Sequence, residues 1–131
     1  MMAAGSGLTL LWVMLGGAVG AGLRWWVGVG LLRQLQGGWP WPTLLVNLAG
    51  AFAAGYLLIR LHDHPQAALW RAVLVVGLLG GFTTFSSLMV ELLLMARQAR
   101  PGGALLYLLV SVAGGMLAVW LGARLAEAAV R

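Results

Sequence analysis

Cysteine and lysine are absent from this chain of 131 residues, and charge of either sign is scarce: 8% of residues are charged and three are acidic. Without cysteine there are no disulfides, thiolate metal sites or cysteine nucleophiles. A soluble domain carries about 25% charged residues, so this chain cannot cover a water-facing surface. The first apolar run has no basic segment before it and continues past Gly17 towards Trp26. It therefore reads as a membrane span and not as a signal peptide. No nucleophile–base set and no phosphate-binding loop is present, so enzyme chemistry has no carrier. The net charge of +5 comes from scattered arginines that flank apolar runs. That pattern suits anchoring at a membrane surface and argues against nucleic acid.

What is abundant is apolar: 62% of residues are hydrophobic. A span needs about 20 residues, so four spans with short loops fill the length. They are placed at about residues 8–32, 43–61, 70–96 and 104–123, in a single all-α membrane domain with no internal repeat. Between them lie RQLQGGWPWP, HDHPQAA and RQARPGG. Trp39 and Trp41 suit the interfacial belt, and Pro42 suits the first turn of a helix. Small residues recur at helical spacing: Gly16, Gly20 and Gly28; Asn47, Gly50 and Ala54; Gly114, Ala118, Gly122 and Ala126. Such stripes let membrane helices approach closely. Four spans put Arg60, Arg71, Arg124 and Arg131 on one side of the membrane and Arg33, Arg97 and Arg100 on the other. A difference of one arginine gives almost no orientation instruction, which points to insertion in both directions.

One stretch of the third span is out of keeping with lipid. GLLGGFTTFSS, Gly77–Ser87, sets Gly80 and Gly81 beside Thr83, Thr84, Ser86 and Ser87. The pattern predicts a helix break, with the glycines relieving the unwound backbone. Irregular backbone at membrane depth persists only where protein or an ion satisfies it, and freed carbonyls can hold a cation. The plainer reading is a kink whose hydroxyls bond back to the preceding turn. Asn47 offers two N–H donors and an acceptor on a small-residue face, for an anion or for a neighbouring helix. Arg24 lies roughly 12 Å of helix from the end of its span, where it attracts anions, caps a helix end or snorkels. Tyr107 and Ser111, four apart, share one face of the fourth span. Glu91 aligns with Thr84 and Ser87 near the end of the third. His62 and His64 lie in a loop with no further metal ligands.

The segments GGAVGAGLRWW (16–26), PTLLVNLAGAFAAG (42–55) and GLLGGFTTFSS (77–87) together resemble, in order and spacing, the Fluc (CrcB-type) fluoride channels. The resemblance covers most of the chain. It implies an antiparallel, dual-topology homodimer in the prokaryotic inner or plasma membrane, with the third helix broken and two fluoride pores. It implies a structural Na+ held by the backbone carbonyls of Gly80 and Thr83 of both subunits. It places Asn47 and Phe85 along the pore, with Tyr107 and Ser111 in a polar track. Glu91 matches a glutamate near a pore mouth and Arg24 the family's first-span arginine. Two positions depart: Leu88 stands where the family usually has a second phenylalanine, and Gly115 where it usually has a hydroxyl. The implied function is passive export of cytoplasmic fluoride. Two alternatives are a small multidrug exporter, which wants a first-span carboxylate that is missing here, and a partner subunit of a heterodimeric fluoride channel.

Overall fold

The computed structural model describes residues 4–31 and 38–129. Arg33 and Arg131, counted above for orientation, and the end of the first span at residue 32 lie outside those residues. Helix α1 is Ala4–Trp26 and continues as a π-helical turn, Val27–Leu31. Helix α2 is Trp41–Arg60. Helix α3 covers residues 67–82: an α-helical turn Ala67–Trp70, a π-helical stretch Arg71–Leu79 and a last turn Gly80–Phe82. Helix α4 is Phe85–Arg97 and α5 is Pro101–Ala128. Among the described residues, four stretches are long and apolar enough to cross a membrane, with α3 and α4 together forming the third.

The helix ends follow from the sequence. Pro42 and Pro101 sit in the first turns of α2 and α5, where a missing N–H is no loss. Pro101, Gly102 and Gly103, expected in a loop, belong to α5, so its connection to α4 is only Gln98, Ala99 and Arg100. Ala99 makes that turn with φ +55°, and Arg100 N–H reaches back to Met95 O at 3.1 Å.

The helices pack as two pairs, α1 on α3 and α2 on α5, and glycine makes both seams. A Cβ at Gly16 would lie 2.7 Å from Val73 O, and one at Gly77 would lie 2.7 Å from Val13 O. Gly20 faces the backbone of Leu78 and Phe82, and Gly81 faces that of Gly17. In the second pair Gly55 meets the Val119 backbone, and Gly122 meets Phe52 and Tyr56. Lipid tails supply no hydrophobic drive between helices, so close backbone contact and dispersion must hold them. Gly28, expected on the same stripe as Gly16 and Gly20, has only ordinary contact with Pro42 and takes no part in the seam. The small core lies elsewhere, between α2, α4 and α5, where Leu44, Leu88, Met95 and Tyr107 are buried. Most other large apolar side chains face outwards, as a lipid-facing surface requires.

Candidate functional site

The third span is interrupted at Thr83 and Thr84, both extended (φ −84°, ψ 159° and φ −151°, ψ 116°). This corrects one expectation. Gly80 and Gly81 are not unwound: Gly80 has φ −62°, ψ −36°, and both lie in the last turn of α3. Gly81 is glycine for proximity, since any side chain there would strike Gly17 of α1.

The break forms because other donors and acceptors displace the helix's own. Thr84 N–H donates to Asn47 Oδ1 (2.7 Å), and Asn47 Nδ2–H donates to Thr84 O (3.0 Å). One asparagine on α2 thus takes both backbone groups of one residue. Ser87 N–H donates to Thr84 Oγ1 (3.2 Å), so Thr84 is the N-cap of α4. Thr84 Oγ1–H donates to Ser87 Oγ (3.1 Å), and the Ser86 hydroxyl lies 3.1 Å from the same Thr84 oxygen. Thr83 Oγ1 bonds back to Leu79 O at 2.8 Å. Arg24 reaches across from α1, and its Nε–H caps α3 at Gly81 O (3.1 Å).

The consequence falls on two carbonyls. In a continuous α-helix Gly80 O and Thr83 O would accept from the amides of residues 84 and 87. Those amides now serve Asn47 and Thr84 instead. Gly80 and Thr83 border an open groove of about 380 Å³ together with Asn47, Thr84, Phe85 and Leu88. Neutral, hard carbonyl oxygens suit an alkali cation.

Phe85 and Leu88 share the rim of that groove with opposite exposures. Phe85 is 72% exposed, projecting from the chain, whereas Leu88 is 6% exposed and packs in the core beside Tyr107. Phe82 is half-buried, with its ring beside Gly50 of α2.

A second cluster lies between α2, α4 and α5. Glu91 accepts from Thr43 Oγ1 (2.5 Å) and from Tyr107 OH (2.7 Å). The Tyr107 side chain is fully buried, with Trp39 edge-on to its ring at 5.8 Å. Ser111 follows one turn along α5, with its Oγ buried and within reach of the Tyr107 hydroxyl. Sequence reasoning had aligned Glu91 with Thr84 and Ser87; its partners are Thr43 and Tyr107. Thr43 was missed, although its place four residues before Asn47 on α2 was a signal. A polar recess of about 160 Å³, bordered by Arg24, Thr43, Thr84 and Ser87, lies near both clusters. His64 is occupied locally, with Nδ1 accepting from Gln66 N–H.

Four membrane-length apolar stretches among the described residues, the third interrupted, define a multi-pass membrane protein. The comparison with known sequences narrows the class. The profile described as "CrcB-like protein, Camphor Resistance (CrcB)" matches residues 11–123, and the chain belongs to the CrcB family. It is 52% identical over 118 residues to the "Fluoride-specific ion channel FluC" of Xylella fastidiosa (strain 9a5c), covering 89% of this chain and 82% of that one. With the protein of the same name from Xanthomonas euvesicatoria pv. vesicatoria (strain 85-10) it shares 47% over 116 residues, 88% and 87% of the two chains. With "Fluoride-specific ion channel FluC 2" of Brucella abortus biovar 1 (strain 9-941) it shares 41% over 124 residues, 92% and 95% of the two. Membership of a family whose relatives are named ion channels makes this a channel-family protein and not an enzyme.

Proposed function

We propose that this chain is a fluoride channel that works as an antiparallel homodimer and lets cytoplasmic fluoride leave passively. Hydrogen fluoride enters cells as a neutral acid and ionises inside, and the anion then needs a path out. The observation that carries the reading is the Asn47-pinned break with Phe85 exposed at its edge, in a chain 52% identical to a named fluoride channel. Fluoride is small and tightly hydrated. The positive edge of an aromatic ring can face it without the grip of a fixed cation. Conduction needs binding firm enough for entry and weak enough for exit. An exposed Phe85 and a carbonyl set that is only half supplied both leave a single chain incomplete, which favours two copies.

In this reading Gly80 O and Thr83 O of both copies hold one structural Na+, which supplies a positive centre that ties the two breaks together. The test is fluoride efflux from liposomes containing only the purified chain. Efflux from that preparation supports a self-sufficient homodimer; a silent preparation that conducts only with a second chain would support the partner-subunit alternative. Replacing Na+ on both sides with a bulky organic cation is expected to slow efflux at least about ten-fold, as the carbonyls lose a charged partner. Efflux indifferent to Na+ sinks the cation assignment alone.

Phe85 and Phe82 separate by the same assay. Phe85→Ile is expected to slow efflux about ten-fold through the lost ring edge. Phe82→Ile, inside the bundle, is expected to change it by less than about three-fold while lowering thermal stability. The reverse order would remove Phe85 from the pathway.

A further inference from the structure

Arg71 opens the π-helical stretch of α3, next to the exposed Trp70. Its side chain enters no ion pair among the described residues, and its Nε is buried without a hydrogen-bond partner. Burying part of a guanidinium unpaired is costly, and buried polar groups nearly always find a partner. The chain has three acids, and none serves Arg71. Glu91 takes the hydroxyls of Thr43 and Tyr107, Glu127 pairs with Arg124, and Asp63 stands exposed beside His62. Arg71 also borders a groove of about 280 Å³ between α2, α3 and α5, whose other walls are apolar: Ala54, Leu58, Val75, Val76 and Val119.

Depth gives this pairing of a cation and an apolar groove its meaning. The third span is Ala67–Arg97, and its interruption at Thr83 and Thr84 lies near its middle. Arg71 is at most roughly 18 Å of helix from that interruption, against about 15 Å for half the hydrocarbon core. It therefore stands where lipid phosphates begin. We infer that Arg71 and this groove hold an anionic phospholipid, with the phosphodiester on the guanidinium and part of one acyl chain between α2, α3 and α5. A guanidinium offers a planar fork of donors that matches phosphate oxygens, and basic pockets between spans suit such headgroups. A zwitterionic headgroup brings its own ammonium, which competes with Arg71 for the phosphate. Ala54 and Val75 also border the groove at the break, so the two grooves are continuous. A second copy could cover the apolar walls, but its acids are the same three and would leave Arg71 uncompensated. Lipid supplies both the chain and the charge. The inference needs only the third membrane span and stands whether or not the chain passes fluoride.

The test uses the purified full chain in mild detergent, with phosphatidylglycerol or phosphatidylcholine added at equal mole fraction. Thermal unfolding and native mass spectrometry read the outcome. Phosphatidylglycerol is expected to raise the melting temperature by a few degrees more than phosphatidylcholine, with a single lipid retained per chain. Arg71→Gln is expected to weaken phosphatidylglycerol at least about ten-fold, the loss of a hydrogen bond to a charged group. Arg71→Lys weakens it less, because a point charge remains. Val76→Phe keeps the charge and fills the groove from a position that is 65% exposed, so it weakens the lipid without crowding the core. Equal gains from the two lipids, or a phosphatidylglycerol gain that survives Arg71→Gln, overturn the inference. Inorganic phosphate matching phosphatidylglycerol also overturns it, since that describes an anion site with no place for a chain. So does a full gain in Val76→Phe. Gel filtration establishes that each variant is folded, and Val76→Phe decides alone if Arg71→Gln does not fold.

Discussion

Replacing Asn47 with leucine is expected to slow ion flux at least about a hundred-fold, because two buried backbone groups lose their partner at about 1–3 kcal/mol each. Leucine fills nearly the same volume but offers nothing to Thr84 N–H or Thr84 O, which Asn47 now satisfies at 2.7 and 3.0 Å. The nearest repair is for Thr84 N–H to return to Gly80 O and rebuild the helix ladder. That repair consumes one of the two oxygens the break exposes and turns Phe85 away from its present position. Fold and site therefore respond differently. The variant remains a four-helix protein with a near-native elution volume, while efflux is lost and any Na+ dependence of stability disappears with it. Efflux within about three-fold of the native rate would mean that the Asn47 clamp does not maintain the conducting geometry.

Gly20→Val is expected to cost about 3 kcal/mol of stability or more, at the upper end for overpacking a seam. Most overpacked sites relieve themselves by rotating a side chain. Here a Cβ would collide with the Leu78 carbonyl and lie 2.8 Å from Phe82 N, both backbone atoms of α3 that no rotamer change can move. The relief available is separation of α1 from α3, and that withdraws Arg24 from Gly81 O at the same time. One substitution therefore weakens the pair and uncaps the break. Gly22, two residues away, has nothing within 4 Å of its missing side chain. Gly22→Val is expected to shift the melting temperature by no more than a few degrees, which controls for the presence of a β-branched residue in α1. Thermal unfolding in detergent measures both. Similar melting temperatures for the two variants would contradict the seam.

The span count and the bundle's all-helical character were legible in the sequence, because both depend on local properties. Apolar runs of about 20 residues have few other uses, and proline at 42 and 101 marks helix starts. Of the small-residue stripes, Gly16, Gly20 and Gly122 lie in the seams; Gly28 does not, Gly50 faces Thr83 and Phe82 instead, and the seam glycines Gly55, Gly77 and Gly81 stood in no stripe. The odd composition of Gly77–Ser87 announced an interruption but not its place. Glycines are poor helix formers, so local propensity located the unwinding at Gly80 and Gly81. Tertiary structure decided otherwise. Asn47, 37 residues before Thr84, takes that residue's amide and carbonyl, and Arg24 takes the Gly81 carbonyl from another helix. A helix stops where a competing partner outbids its own ladder, and that partner lies on a different span. The same holds for Phe85 and Leu88, three apart in one helix yet 72% and 6% exposed. It holds again for Glu91, whose hydroxyl donors come from α2 and α5. Propensity and periodicity are written along the chain. Which face is covered, and which polar group finds which partner, depends on where glycine lets the helices meet.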